Sequence, residues 1–142
     1  MKKNPISSET KYILFVDGVC KLCNKFINFT YKRDLNKKIV YSSLQGIKYN
    51  ELKNKNLVPK NSIEFIVIFD VQKNNYYIKS EAVRKILFHL PKYRFLSYLF
   101  LVVPLFLRDI IYTAIANKRY SIFGKTIMCQ FEDEIERERL IK

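Results

Sequence analysis

Cys20-Lys21-Leu22-Cys23 sets two thiols three residues apart. On the first turn of a helix this spacing puts both side chains on one side, near enough to close a small disulfide ring. A thiol at a helix start also meets unpaired backbone N–H groups and the positive end of the helix dipole, and Lys21 and Lys25 add positive charge. The expected consequence is a thiol pKa below the ordinary value of about 8.5. Only a moderate shift helps attack, because intrinsic nucleophilicity falls along with the pKa. Cys20, nearer the preceding strand, is expected to be the more exposed sulfur and the attacking nucleophile, with Cys23 resolving the mixed disulfide. Asp17 stands three residues before Cys20. Its carboxylate either relays a proton to or from Cys23 or, more simply, ties down amides of the turn. Gly18 supplies either a positive φ or room for a substrate backbone.

The same C-x-x-C spacing occurs in zinc knuckles, so its surroundings must decide. A structural zinc site usually takes four ligands, and beyond the pair this chain offers only Cys129 and its single histidine, His89. A Cys₃His site needs all four to converge, and a redox dithiol is the simpler reading, with no metal and no cofactor assigned. Cys129, beside Met128, reads as a small apolar residue, with a third redox partner as the alternative. His89 closes a predicted helix and receives no catalytic role.

Several elements must position the dithiol. Lys11–Val16 (KYILFV) is a buried strand ended by Asp17-Gly18, and from Cys20 to about Arg33 apolar residues recur at helical spacing. A second strand is expected over Lys38–Ser43 and a short helix within Leu44–Asn54. Glu64–Val71 (EFIVIFDV) reads as a central strand buried on both faces, and Asn74-Asn75 turns it into an antiparallel partner over Tyr76–Lys79. Ser80 is the expected N-cap of a helix stopped by Pro91. Phe95–Leu107 (FLSYLFLVVPLFL) is the most apolar stretch, shorter than the ~20 residues of a spanning helix and interrupted by Pro104. A packed helical hairpin is favoured there over a membrane-seated element, and Phe131–Ile141 is expected to be a frayed terminal helix. This order predicts an α/β fold with a mixed sheet flanked by helices and the Cys20 turn at the carboxyl end of its strand.

At 142 residues, 49% hydrophobic and 15% aromatic, the chain can bury a core without disulfide staples, and intrinsic disorder is excluded. A single domain over 1–142 is expected, with residues 1–10 as a tail and about 91–142 as a helical extension. The net charge of +13 is spread along the chain without a dense basic run, which reads as a solvated surface. Nucleic acid is therefore disfavoured as a partner, and peripheral membrane contact stays open. The first ten residues lack the apolar stretch of a signal peptide, so a cytoplasmic location is expected. A close cysteine pair in such a chain reads as redox chemistry rather than as a structural disulfide.

Asp17-Gly18-Val19-Cys20-Lys21-Leu22-Cys23 resembles the D-G-x-C-x-x-C signature of the DCC family of predicted thiol–disulfide oxidoreductases. The resemblance extends through Tyr41–Gln45, Lys79–Ala82, Pro104, Arg108-Asp109, Tyr112, Asn117–Tyr120, Phe123-Gly124 and Cys129, roughly residues 12–130. It implies a thioredoxin-like fold and a redox role for Cys20 and Cys23 with Asp17 and Gly18 as accompanying positions, but no defined substrate; the C-x-x-C at a strand–helix junction itself leads us to expect a disulfide-containing protein or low-molecular-weight thiol as partner. Arg108, Asp109, Tyr112, Arg119 and Tyr120 match a second motif, which either lines the dithiol cleft or holds the helical hairpin; the structural role is preferred. The thioredoxin pattern places a cis-proline before the strand facing the dithiol, whereas Asn61-Ser62-Ile63 stands there in this chain.

Overall fold

The computed structural model describes residues 6–60, 65–125, 135 and 137–141. Strand β1 (Tyr12–Val16) lies at the centre of the sheet. It pairs in parallel with β2 (Ile39–Ser43) and antiparallel with β3 (Val67–Asp70), which in turn pairs antiparallel with β4 (Asn75–Ile78). A two-residue strand, β5 (Leu140–Ile141), adds in parallel to the outer edge of β2, giving the order β4-β3-β1-β2-β5.

Alternation along β1 sends Tyr12, Leu14 and Val16 to one face and Ile13 and Phe15 to the other. The first face is covered by helices α1 (Lys21–Arg33) and α3 (Lys79–His89), through Cys23, Ile27, Ala82 and Ile86, with Leu90 at the C-cap of α3. The second is covered by α2 (Ile47–Asn54) through Tyr49 and Leu52. Both faces of β1 are therefore buried, which is why its sequence is continuously apolar instead of alternating. The result is the thioredoxin-like α/β sheet flanked by helices that the sequence predicts.

Three local expectations are corrected. The central strand is shorter than its apolar run, because the Ile66 N–H is taken by the Tyr112 hydroxyl (2.9 Å) instead of a neighbouring strand. Ser80 does not cap α3. The β4 chain enters the helix without a loop, Lys79 making the bend at a φ of +54°, and Ser80 lies in the first turn with its hydroxyl on the Asp109 carboxylate. The expected terminal helix also fails where it can be seen. Residues 131–134 and 136 lie outside the described residues, but Arg137–Arg139 form a 3-10 turn leading into β5.

The helical hairpin exists as α4 (Arg94–Val102) and α5 (Leu105–Phe123), bent by 111° at the Val103-Pro104 elbow. It is not packed as expected. The buried residues of the two helices are the polar Ser97 and Arg119, while Val102 is 81% exposed and Phe106 69%. Among the described residues no single helix is long and apolar enough to cross a membrane, although this bent pair is so by length and composition.

Candidate active site

The chain leaves β1 at Val16 and turns through Asp17-Gly18-Val19 to reach Cys20. The Cys20 N–H donates to the Asp17 carbonyl (3.2 Å), the Val19 N–H donates to Asp17 Oδ1 (3.2 Å), and the Asn24 side-chain amide donates to the Gly18 carbonyl (3.1 Å). Asp17 therefore does tie down the turn. Gly18 does not take a positive φ; among the described glycines Gly124 does, at +87°.

Cys20 is the N-cap of α1, in extended backbone geometry, and its Sγ accepts the Cys23 N–H at 3.3 Å. Cysteine thus occupies a position where serine or aspartate is usual, and its sulfur satisfies one of the helix's unpaired donors. The two thiols are driven in opposite directions. Cys20 is lowered to about 6, chiefly because the Cys23 thiol donates to it; burial opposes this, and the Cys23 N–H and the Arg119 guanidinium reinforce it. Cys23 is pushed far above its ordinary range by that same hydrogen bond, then by burial and by the negative charge of Cys20 and Asp17. Near neutral pH the pair holds one proton, on Cys23, and one negative charge, on Cys20.

The exposure of the two sulfurs differs from expectation. Cys20 is fully buried, whereas Cys23 retains 8% exposure and lines a cavity. The cause lies a hundred residues away. The chain beyond α5 crosses over the start of α1, pairing Lys125 with Cys20 as an isolated antiparallel bridge and placing the Gly124 carbonyl 3.4 Å from the Lys21 N–H.

α5 also supplies the polar wall of the site. Arg119 and Tyr120 both reach Asp17: the guanidinium lies 3.5 Å from Oδ2, and the Tyr120 hydroxyl donates to the same oxygen. Tyr112, from the same helix, caps the Ile66 amide, and burial pushes its hydroxyl up to about 12, so it stays a neutral donor and acceptor at physiological pH. Asp17, Cys23, Tyr112 and Arg119 face a cavity of about 180 Å³ whose remaining walls, among them Leu22, Phe26, Ile66 and Ile115, are apolar. Of the second sequence motif, Tyr112, Arg119 and Tyr120 therefore belong to the dithiol cleft. Arg108 and Asp109 instead fasten α5 to α3, Arg108 to Glu81 (3.3 Å) and Asp109 to Ser80. The sequence signal for Arg119 and Tyr120 was their place in that motif; their contact with Asp17 carries no local signature.

His89 is not near the sulfurs. It packs edge-on against Tyr12, at the opposite end of β1, with Nε2 3.2 Å from Asp34 Oδ1. The buried Asp34 also accepts from the Ile39 N–H (2.8 Å) and from Arg139 (2.6 Å). A Cys₃His site is thereby excluded geometrically, since its histidine is committed elsewhere. Cys129 lies outside the described residues, as do Ser62 and its neighbours before β3.

A mixed sheet with a C-x-x-C at the start of its first helix, one thiol lowered and the other raised, defines a thioredoxin-like dithiol protein. The DCC1-like thiol-disulfide oxidoreductase family matches residues 14–125, and the chain belongs to that family. It is 34% identical over 119 residues to a chloroplastic DCC family protein of Arabidopsis thaliana, covering 83% of this chain and 68% of the plant protein. It is likewise 34% identical over 129 residues to the uncharacterized protein YuxK of Bacillus subtilis (strain 168), covering 91% and 93% respectively. No solved structure matches.

Proposed function

We propose that this chain exchanges disulfides through Cys20 and Cys23, with a disulfide-containing protein or a low-molecular-weight thiol as substrate, in a reducing compartment such as the cytoplasm. The observation that carries this reading is the division of labour between the thiols, Cys20 lowered to about 6 and Cys23 held protonated beside it. The Cys20 thiolate attacks one sulfur of a substrate disulfide, forming a mixed disulfide and expelling the other sulfur as a thiolate, which takes a proton from solvent. Cys20 then carries no charge, so the interactions that raised Cys23 are gone. Cys23 gives up its proton, attacks Cys20 Sγ, closes the Cys20–Cys23 disulfide and expels the second substrate thiolate. Two electrons pass from the dithiol to the substrate, and the reverse sequence oxidises a substrate dithiol. Asp17 faces the same cavity as Cys23 and is the nearby carboxylate that accepts its proton and returns it to the leaving thiolate.

Burial of Cys20 adds a requirement: the Gly124–Lys125 strap must lift before an incoming sulfur can approach in line. One contact holding it, from the Lys21 N–H to the Gly124 carbonyl, is long at 3.4 Å, at the weak limit of a hydrogen bond. Equilibration in glutathione buffers followed by mass spectrometry tests the exchange. Reversible formation of an intramolecular Cys20–Cys23 disulfide is expected, and Cys23→Ser should retain mixed disulfides on Cys20. Adducts retained instead by Cys20→Ser on Cys23 would reverse the assigned order.

A further inference from the structure

The α4–α5 elbow is apolar where it faces solvent and polar where it faces the protein. Phe95 and Val102 on α4, and Phe106 and Ile110 on α5, are each more than 60% exposed. A contiguous apolar surface of this kind marks an interaction site. Exposed apolar residues are densest around the elbow, among them Phe106 and Ile110 in the first two turns of α5; polar Asn117, Lys118 and Ser121 enter further along, beside Ile122, which is also exposed. Exposed cations stand back from the tip on both helices: Lys92 and Arg94 at the foot of α4, Lys118 and Lys125 towards and just beyond the end of α5. From Val102 back to Arg94 is about 12 Å of helix, and from Leu105 to Lys118 about 20 Å.

Charge selects what covers this surface. Between residues 91 and 125 the acid is Asp109 alone, which is turned inward onto Ser80, against the six bases Lys92, Arg94, Arg108, Lys118, Arg119 and Lys125. Arg108 and Arg119 are committed to Glu81 and Asp17, which leaves the four peripheral cations on the outside. We propose that the elbow docks on an anionic lipid bilayer, the Val102–Phe106 tip entering the acyl boundary and the four cations meeting lipid phosphates. Interfacial segments sink about 5–10 Å, a depth that the apolar tip fits while the cations stay at headgroup level. A second copy of this chain would bring the same four cations against one another, which the charge distribution disfavours. Docking at this elbow places the dithiol cavity next to the membrane, since the groove under the elbow shares Val83, Tyr112 and Ile115 with the cavity that Cys23 lines.

Co-sedimentation of the full chain with large unilamellar vesicles decides the matter. Binding to phosphatidylcholine vesicles containing phosphatidylglycerol should exceed binding to phosphatidylcholine alone, and should fall at least tenfold in the Val102→Glu/Phe106→Glu double variant. Neither residue touches the dithiol cleft, so glutathione exchange by that variant in solution should be unchanged, which keeps this outcome separate from the redox reading. Val102→Ser/Phe106→Ser removes apolar surface without adding charge and should lose binding in the same direction. No binding to anionic vesicles at low salt would overturn the proposal. So would binding insensitive to both double variants, or a stable dimer by light scattering that Phe106→Glu dissociates while vesicles are ignored.

Discussion

Two buried carboxylate–arginine pairs lie at opposite ends of β1, and they are built alike. Asp17 and Arg119 meet beyond its carboxyl end, Asp34 and Arg139 beside its amino end, and each joins an early turn to a segment about a hundred residues later. The Asp34 pair is saturated: the Ile39 N–H, His89 and Arg139 converge on the carboxylate at 2.6–3.2 Å, and Arg139 also donates to the Ile39 carbonyl (3.1 Å). The Asp17 pair is looser at 3.5 Å, borders a cavity, and lies beside two free cysteines. An ion pair without spare volume or neighbouring nucleophile can only hold the chain. The same pair beside a cavity and a low-pKa thiol becomes part of a reactive site.

The sharpest test of this contrast exchanges stability for activity. Arg139→Met strands the Asp34 charge in the interior and is expected to cost about 3–5 kcal/mol in denaturant unfolding, with the pH dependence of Cys20 alkylation unchanged. Cys20→Ser should do the opposite, abolishing exchange in the glutathione assay while stability stays within about 1 kcal/mol. If both variants lost stability equally, the two ends would not differ as described.

Acid unfolding separates the ends further. Burial pushes Asp34 up, but the His89 hydrogen bond, the Ile39 N–H and Arg139 outweigh it, and the carboxyl lies below its ordinary value. A lowered folded value means a stabilising contribution that is complete above the unfolded carboxylate range and is lost as pH falls through the folded value. Asp34→Asn should therefore flatten stability against pH below about 4, measured by urea titration across the acid range. Smaller effects are expected around the sulfurs. Arg119→Met removes a reinforcing positive charge and should move the Cys20 midpoint upward from about 6 by less than about one pH unit. Tyr112→Phe leaves the Ile66 amide without its acceptor and should cost about 1 kcal/mol in thermal unfolding, with the Cys20 midpoint little changed.

Local chemistry was legible in the sequence. KYILFV followed by Asp-Gly and a C-x-x-C placed a buried strand, a turn and a thiol at a helix start, because each depends on residues within one or two turns of chain. What was hidden is long-range. Nothing near Cys20 announces that Lys125 will bridge over it, so the more exposed sulfur was misassigned. Nothing near Glu64 shows that a tyrosine hydroxyl from α5 will end the β3 ladder. The charged residues ahead of Leu140 read as a fraying helix, yet Arg139 anchors on Asp34 and draws the chain to the edge of β2. The helical hairpin was placed correctly from its apolar residues, but apolarity alone cannot tell a buried face from one that faces outward.

The central claim is that one thiol of the pair is ionised near neutrality because the other, keeping its proton, donates a hydrogen bond to it across the first turn of α1. Iodoacetamide alkylation of the reduced protein, followed by mass spectrometry from pH 4 to 10, measures this residue by residue. Modification of Cys20 first, with a midpoint near 6 that rises when Cys23 is replaced by alanine, is the predicted result. A midpoint near 9 for Cys20, or earlier modification of Cys23, would contradict it.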